Sequence, residues 1–185
     1  MLTIGCWNIN GWAEQNSDLQ VKILKSLNFD IFTLCETHMR GNDLINVDNY
    51  TCFLNNRSKL HILAKKGSGG VCILIKEDMF NIYSIDVIDK DFDGILGLKF
   101  KSTHGHECFV VFSCYLPPQD SVWSDPANFY AHLLANVYEY SDYDIFICGD
   151  FNARIGNHSD CIETVDNLAP RKVIDNEKTS LVISF

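Results

Sequence analysis

The first 35 residues restrict the fold more than any other segment, because they follow the order strand, helix, strand. Residues 2–9 form a mainly apolar run that Gly11 ends, and residues 29–35 form a second apolar run. Between the two runs, Ser17 and Gln20 have the spacing of a capping box, and apolar residues follow at helical intervals. A unit of this kind predicts a crossover that places the two strands side by side.

Further strands are expected in the apolar runs at residues 71–75, 81–88, 95–100, 107–115 and 145–149. Short turns join several of these runs, so we expect mixed sheets rather than a pure βαβ repeat. A second helix is expected to begin near Pro126, with His132 on its surface. Residues 41–61 are polar and read as irregular, apart from one apolar patch at residues 50–54.

The length and composition limit which classes of protein the chain can belong to. The chain has 185 residues, of which 46% are hydrophobic and 21% are charged, as expected for a single globular α/β domain. A net charge of −9 argues against a protein that coats nucleic acid with a basic surface. The sequence has no apolar run long enough to span a bilayer and no signal peptide at its start. We therefore expect an intracellular protein with no membrane partner.

The eight cysteines do not have the C-x-x-C spacing of a zinc ribbon, and most lie within apolar runs. Reduced, mainly buried thiols are the expected state. The cluster of possible ligands at residues 104–108 is better read as a hairpin turn, because no second ligand pair lies at metal spacing. The glycines at residues 67–70 precede a strand and lack a Gly-Lys-Ser/Thr ending, so they indicate close backbone approach, not a phosphate loop.

Polar residues stand where several apolar runs end. Asp150 and Asn152 follow the run at residues 145–149, and Asn8, Glu36 and Tyr115 stand at the ends of other runs. In α/β sheets the crevice beyond the carboxyl ends of the strands is the usual place for a ligand. A carboxylate there can orient a water or a metal ion, and a carboxamide can donate to a phosphate oxygen. Taken alone, however, Asp150 and Asn152 fit an ordinary Asx turn better than a functional site.

Basic residues are concentrated in one segment. Arg57, Lys59, Lys65 and Lys66 lie within ten residues that contain no acid, and Arg154 follows the last predicted strand. An acidic protein with one basic flank can still bind a polyanion locally, so these five residues are candidate nucleic-acid contacts. A solvated loop is the alternative.

Together, the motifs around these polar residues resemble the endonuclease/exonuclease/phosphatase superfamily. The match covers about residues 2–156 and comprises, in order, Trp-Asn-Ile-Asn-Gly, Leu-Cys-Glu-Thr-His, Ser-Gly-Gly-Val, Tyr-Leu-Pro-Pro and Gly-Asp-Phe-Asn-Ala-Arg. More narrowly, the chain looks like the apurinic-type endonuclease domain of non-LTR (LINE-like) retrotransposons.

The resemblance implies a four-layer α-β-β-α sandwich of two mixed β-sheets and hydrolysis of DNA phosphodiesters with Mg²⁺ or Mn²⁺. By the same resemblance, Glu36 is the metal-binding glutamate and Asn8 the asparagine that supports the metal and the phosphate. Tyr115 would lie near the scissile phosphate. Asp150 would orient or deprotonate the attacking water, and Asn152 would bind the phosphate. It also implies a nuclear location for an enzyme acting on chromosomal DNA, and a reverse transcriptase domain in a longer ancestor.

The sequence departs from the family at its C-terminus. The resemblance implies a further aspartate and a Ser-Asp-His sequence, but the only histidine after Asn152 is His158, in Asn-His-Ser-Asp. We therefore expect residues 1–185 to form one domain that lacks its C-terminal strands and has impaired activity. Two alternatives remain open: a non-catalytic remnant of such a domain, and a phosphatase of the same fold that acts on a small phosphoester.

Overall fold

The structure is a computed structural model that describes residues 1–12, 17–41, 43–58 and 67–153. Strands and helices follow one another there in the order β1 (Ile4–Asn8), α1 (Ser17–Leu27), β2 (Ile31–Cys35), β3 (Tyr50–Asn55), β4 (Val71–Lys76), a 3-10 helix (Glu77–Asn81), β5 (Tyr83–Asp89), β6 (Ile95–Ser102), β7 (Cys108–Tyr115), α2 (Pro126–Glu139) and β8 (Asp144–Asp150).

The strands form two four-stranded sheets of similar design, with the orders β1-β2-β4-β3 and β5-β6-β7-β8. In the first sheet β1 and β2 are parallel, and in the second β7 and β8 are parallel. α1 and α2 make the respective crossovers, because parallel neighbours need a long connection. All other pairs are antiparallel, so both sheets are mixed, as the sequence predicts.

The sheets pack face to face, and the helices cover their outer faces. Side chains of β2, β4, β6 and β7 form the core between the sheets, among them Ile73 and Phe100. Leu24 of α1 packs on Phe32 outside the first sheet, and Phe129 of α2 packs on Phe112 outside the second. The predicted four-layer α-β-β-α sandwich is confirmed.

The prediction for residues 41–61 is wrong at β3, which the sequence showed only as an apolar patch. β3 lies at the edge of the first sheet and pairs only with β4 among the described strands. All six of its residues are half-buried, so polar and apolar residues do not alternate cleanly along it. β2, in contrast, is buried at every position and reads as a continuous apolar run.

The expectation that His132 is a surface residue is confirmed only in part, because its side chain, 33% exposed, also contacts Asp89 and Phe92. Its Nε2 lies 2.8 Å from Oδ2 of Asp89, and its ring packs against Phe92 with 5.1 Å between ring centroids. Asp89 is buried at the end of β5, so the histidine ties α2 to the loop that leads into β6.

Other expectations concern the chain as a whole. The seven described cysteines are all free thiols, although Cys6 is exposed. Residues 104–108 lie between β6 and the first residue of β7, which form an antiparallel hairpin as predicted. Neither α1 nor α2 is long and apolar enough to cross a bilayer, and they are the only α-helices in the described ranges. The predicted lack of C-terminal strands concerns residues 154–185, outside the described residues.

Candidate active site

The carboxyl ends of β1 and β2 bring Asn8 and Glu36 together. Asn8 lies opposite Cys35 in the register, and the pairing continues beyond the strands, where the Gly11 N–H donates to the Glu36 carbonyl at 2.7 Å. The side-chain amide of Gln20 donates to the Gly11 carbonyl at 3.0 Å. The capping-box role predicted for Gln20 is therefore wrong, because this residue anchors α1 to the loop after β1.

The second sheet presents Tyr115 and Asp150 in the same manner. They are the last residues of the parallel strands β7 and β8 and lie directly opposite each other. The register holds past the strand ends, since the Leu116 N–H donates to the Asp150 carbonyl at 3.0 Å. Both sheets thus carry polar side chains at the carboxyl ends of a parallel pair, where ligand sites of α/β proteins form.

A shared hydrogen-bond donor joins the two pairs. The side-chain Nδ2 of Asn8 donates to Oε1 of Glu36 at 3.1 Å and to Oδ2 of Asp150 at 2.8 Å. Its Oδ1 accepts from the backbone N–H of Asn10 at 3.0 Å, which fixes the side chain. Two carboxylates from different sheets therefore converge on one amide group and concentrate negative charge there.

Tyr115, at the end of β7 in the second sheet, is another polar side chain next to Glu36 and Asp150. Its side chain is almost fully buried, and its hydroxyl is hydrogen-bonded to Glu36. Burial, followed by the hydrogen bond to Glu36 and the charge of that carboxylate, raises the pKa of Tyr115 well above its usual value. The hydroxyl therefore stays protonated at neutral pH and remains a donor.

Asn152 shapes the turn after β8. Its backbone N–H donates to Oδ1 of Asp150 at 2.9 Å, which is an Asx turn, and its side-chain Nδ2 donates to the Leu116 carbonyl at 2.8 Å. The Asx turn weighed against a functional site is thus present, and it holds the Asp150 carboxylate whose other oxygen bonds Asn8. The Asx turn and the group of polar side chains around Asn8 are therefore both present, and one does not exclude the other.

The backbone around these side chains adopts unfavourable conformations. Asn10, Glu36, His38 and Asn152 all have positive φ, between 48° and 54°. Asparagine tolerates this left-handed region, but glutamate and histidine do so at a cost of roughly 1–3 kcal/mol each. Such strain persists only where the surrounding structure enforces it, and it clusters at functional sites.

The glycine-rich loop at residues 67–70 holds the strained backbone around Glu36 and His38 in place. The Thr37 N–H donates to the Gly70 carbonyl at 3.2 Å, and the His38 N–H to the Gly69 carbonyl at 2.9 Å. A Cβ on Gly67 would lie 2.2 Å from the His38 carbonyl oxygen. The glycines allow close backbone approach, as the sequence predicts, and their role is to hold the segment that carries Glu36.

His38 is a site residue that the sequence analysis did not single out. Its Nε2 lies 3.5 Å from Oε2 of Glu36, the oxygen that Asn8 does not bond, and its side chain is 29% exposed. In an extended segment residues two apart face the same side, but Glu36 and His38 both have positive φ, so their spacing alone did not predict this contact. The left-handed backbone at both residues could not be read from the sequence.

The candidate nucleic-acid contacts have different outcomes. Arg57 is not an exposed cation, because its side chain is only 3% exposed and its Nε pairs with Oδ2 of Asp93 at 2.7 Å. It is a buried, paired charge close enough to Tyr115 to act on its hydroxyl, and its predicted contact with nucleic acid stays a prediction. Lys59, Lys65, Lys66 and Arg154 lie outside the described residues.

The donor set fits a hard divalent cation. Glu36 and Asp150 offer carboxylate oxygens at a half-buried position, and Mg²⁺ is commonly held by one or two carboxylates while it keeps several waters. Across residues 1–12, 17–41, 43–58 and 67–153, no group of three or more His, Cys, Asp or Glu side chains is arranged to enclose a metal ion. The two carboxylates therefore match the ligand type that Mg²⁺ takes, and the described residues supply no closed cage of the kind that structural zinc needs.

A family model described as the Endonuclease/Exonuclease/phosphatase family matches residues 5–175. The chain belongs to this family. Its match spans β1 to β8 and therefore all of the residues that converge on Asn8.

Solved structures of proteins with different names share this fold. The human Nocturnin catalytic domain is 14% identical, with a TM-score of 0.59 over 83% of this chain and 64% of that one. An AP endonuclease from Archaeoglobus fulgidus is 21% identical, with a TM-score of 0.52 over 86% and 62%. A mannosyl-6-phosphatase from Bacteroides thetaiotaomicron is 13% identical, with a TM-score of 0.53 over 83% and 66%.

These likenesses show the fold alone, and the chain spans less than two thirds of the length of the Nocturnin domain. No curated protein matches the sequence significantly.

Proposed function

We propose that the site at Asn8 hydrolyses phosphodiesters in DNA with the help of Mg²⁺ or Mn²⁺, as a retrotransposon-type endonuclease does. The observation that carries the proposal is the Asn8 side chain, which bonds Glu36 of one sheet and Asp150 of the other. The DNA-specific part rests on the likeness of the motifs to those endonucleases. A nuclear location and a reverse transcriptase domain in a longer protein belong to the same proposal.

Glu36, supported by Asn8, would hold the divalent ion. When bound, such an ion supplies positive charge to the phosphate oxygens and lowers the pKa of a coordinated water. Asn8 also keeps the Glu36 and Asp150 carboxylates close to each other by donating to both. His38 lies against the remaining Glu36 oxygen and limits how that carboxylate can turn.

Asp150 would orient the attacking water. Its two oxygens are fixed by the Asn8 side chain and by the Asn152 N–H, so a free lone pair points in a defined direction. A carboxylate in that position can accept a proton from water as a general base. Tyr115, held protonated by its raised pKa, would donate its one proton to a phosphate oxygen instead of to Glu36 as negative charge develops.

The second candidate is a phosphatase that acts on a small phosphoester. The mannosyl-6-phosphatase neighbour favours it, because it has the same fold and a name that states a sugar phosphate. The two candidates share the cation site and differ in what lies around it.

The resemblance also implies a further aspartate and a Ser-Asp-His sequence, and neither has a counterpart after Asn152. We therefore propose that these 185 residues alone have weak activity or none, as a remnant of such a domain would.

Cation binding is the first test, because it does not depend on turnover. Isothermal titration with Mg²⁺ is expected to show binding that Glu36→Gln weakens about tenfold or more, since one charged ligand is lost. Glu77→Gln, an exposed glutamate of the 3-10 helix, is the matched control and is expected to bind as the unchanged chain does. Equal binding by both variants would remove Glu36 from the cation site.

The second test is plasmid nicking. The 185-residue chain is compared with a form extended by the C-terminal segment of a retrotransposon endonuclease. The extended form is expected to nick, and Asp150→Asn to slow it by about 10²- to 10⁴-fold, the usual contribution of a general base. Asp144→Asn, at the exposed start of the same strand, is the control. Hydrolysis of sugar phosphates without nicking would favour the phosphatase.

A further inference from the structure

A cavity of about 690 Å³ adjoins the candidate active site, a size typical of ligand pockets. It lies between the end of β3, the loop before β6 and the loop between β7 and α2. Leu116 lines it, directly follows Tyr115, and accepts a hydrogen bond from the Asn152 side chain. A ligand that fills the cavity would therefore lie next to whatever occupies the site at Asn8.

The cavity contains an aromatic ring held by a buried charge. Arg57 lines the cavity with its Nε on Asp93 and its Nη1 on Ser68 Oγ at 2.9 Å. Its guanidinium lies 5.5 Å from the ring centroid of Trp123, in a cation–π arrangement. The Trp123 side chain is nevertheless 37% exposed, and Val122 beside it is 90% exposed. An indole held in this way is a preformed stacking surface for a flat ring.

The charges around the cavity select the class of ligand. Among the described residues that line it, Asp93 is paired with Arg57, and Asp91 and Asp125 remain beside one lysine, Lys90. This excess of acids disfavours a phosphate group within the cavity. The same carboxylates can accept hydrogen bonds from exocyclic amino groups, as Asp and Glu do from cytosine.

We propose that this cavity binds an unstacked nucleobase that carries an exocyclic amino group, next to the phosphodiester held at Asn8. The inference rests on the proposed function, because it takes that phosphodiester to belong to a nucleic acid. The base stacks on Trp123 and donates to Asp91 or Asp93. A base inside a duplex cannot enter such a cavity, so the nucleotide is single-stranded or extruded from the helix.

Oligonucleotide binding measured without divalent ions tests the proposed base site separately from hydrolysis. Anisotropy of a labelled single-stranded oligonucleotide is expected to show that Trp123→Ala weakens binding roughly 5- to 150-fold, the contribution of one stacked base. Trp123→Phe retains an aromatic face and is expected to keep most of the affinity. Tyr138→Ala removes an exposed aromatic residue of α2 that does not line the cavity, so it is the control and is expected to change little.

A second series replaces one base at a time by an abasic residue. At one position the abasic oligonucleotide is expected to bind weakly to the unchanged chain and to be insensitive to Trp123→Ala. Cytosine or adenine there is expected to bind better than thymine. Competition by free deoxyadenosine that depends on Trp123 would extend the ligand to free nucleosides and would support the cavity. Equal effects of Trp123→Ala on base-bearing and abasic strands, or no effect on either, would overturn it.

The two proposals fail in different ways. Base-dependent binding with no Mg²⁺-dependent cleavage, even in the extended form, would refute the hydrolysis and leave the base site in place. Cleavage of DNA that is unaffected by Trp123→Ala, together with unchanged binding, would refute the base site alone.

Discussion

Asn8 donates to Glu36 and to Asp150, which lie 28 and 142 residues further along the chain, through a single side-chain nitrogen. The bond to Asp150 crosses from the first sheet to the second, so the relative position of the two sheets sets the distance between the carboxylates. The site is thus a property of sheet packing and not of one loop. Whatever holds β2 against β7, such as the Cys35 thiol on the Cys114 carbonyl at 3.2 Å, also holds the site.

Replacing this donor by an acceptor is expected to destabilise the fold. Asn8→Asp would place a third carboxylate between two others, and we expect a loss of about 1–3 kcal/mol in the free energy of unfolding in metal-free buffer. Added Mg²⁺ is expected to restore more stability to the variant than to the unchanged chain, because it neutralises the added repulsion. Urea unfolding with and without Mg²⁺ measures both effects.

Asn10→Asp is the control for this change, since Asn10 lies two residues beyond Asn8, in the loop after β1, and is exposed. It also has a positive φ, which aspartate tolerates. If both variants lost the same stability and responded equally to Mg²⁺, the special position of Asn8 between the carboxylates would be disproved.

The raised pKa of Tyr115 predicts how stability changes at high pH. The folded chain holds the phenol proton more tightly than the unfolded chain, whose tyrosines titrate near pH 10. The contribution of this proton is therefore complete below about pH 10 and is lost as the pH rises toward the folded-state pKa. Tyr115→Phe is expected to be less stable at pH 8, by about 1 kcal/mol for the lost hydrogen bond, but to lose less stability between pH 9 and pH 11.

Urea unfolding at several pH values tests the Tyr115 prediction. Tyr138→Phe serves for comparison, because Tyr138 is an exposed residue of α2 and lies away from the site. A Tyr115→Phe curve that runs parallel to that of the unchanged chain would show that the phenol is not held protonated.

The sequence predicted the parts of the fold and site that depend on local pattern. β2 and β4 are almost entirely buried, so each is a plain apolar run. Glu36 could be found because a polar residue directly after such a run lies at the edge of the sheet. Asp150 was found in the same way, although the prediction that residues 145–149 form a fully buried strand is wrong, since Phe146 and Ile147 of β8 are 41% and 42% exposed. β3 was missed because its half-buried residues follow no period.

Tertiary contacts decided what the sequence did not reveal. Arg57 appeared to be one more cation of a basic segment, and only the position of Asp93, brought close by β5 and β6, makes it a buried pair. His132 likewise appeared to be a helix surface residue until Asp89 was placed beside it. The strained backbone at Glu36 and His38 depends on a glycine loop about thirty residues away, and no pattern near those residues indicates it.

The buried carboxylate of Asp89 is expected to be important for stability. Its side chain is 4% exposed and accepts from Asn136 Nδ2 at 2.8 Å, and its Oδ1 accepts from the Asp91 N–H at 3.0 Å. Asp89→Ala leaves these donors and His132 without their partner, so we expect a loss of about 1–3 kcal/mol. Asp86→Ala, an exposed position on the same strand, is expected to change stability by less than about 0.5 kcal/mol.

Thermal and urea unfolding measure both aspartate variants. Because Asp89 also holds the loop that lines the cavity, Asp89→Ala is expected to weaken oligonucleotide binding as well. Equal stability of the two variants would mean that the Asp89 hydrogen bonds contribute no more than an exposed carboxylate does.

Gly94 controls the position of Tyr115 through the backbone. It has a φ of 84°, and a Cβ there would lie 2.2 Å from the Tyr115 carbonyl oxygen. Its own carbonyl accepts the Tyr115 N–H at 2.7 Å, so the two residues cannot separate without breaking that bond. Gly94→Ala combines left-handed strain of roughly 1–2 kcal/mol with a clash against backbone, and we expect a loss of more than about 2 kcal/mol.

Variants of two other glycines serve as controls that separate the cost of the left-handed backbone from the cost of the steric clash. Gly41 also has a positive φ, 49°, but no atom lies within 4 Å of its added Cβ, so Gly41→Ala is expected to show the strain alone. Gly105 would bring its Cβ no closer than 3.4 Å to Ser102 Oγ, and Gly105→Ala is expected to be nearly neutral. Only Gly94→Ala should also weaken Mg²⁺ binding, because it displaces Tyr115 and with it the hydroxyl bonded to Glu36. If Gly94→Ala cost no more than Gly41→Ala and left Mg²⁺ affinity unchanged, Tyr115 would not depend on this contact.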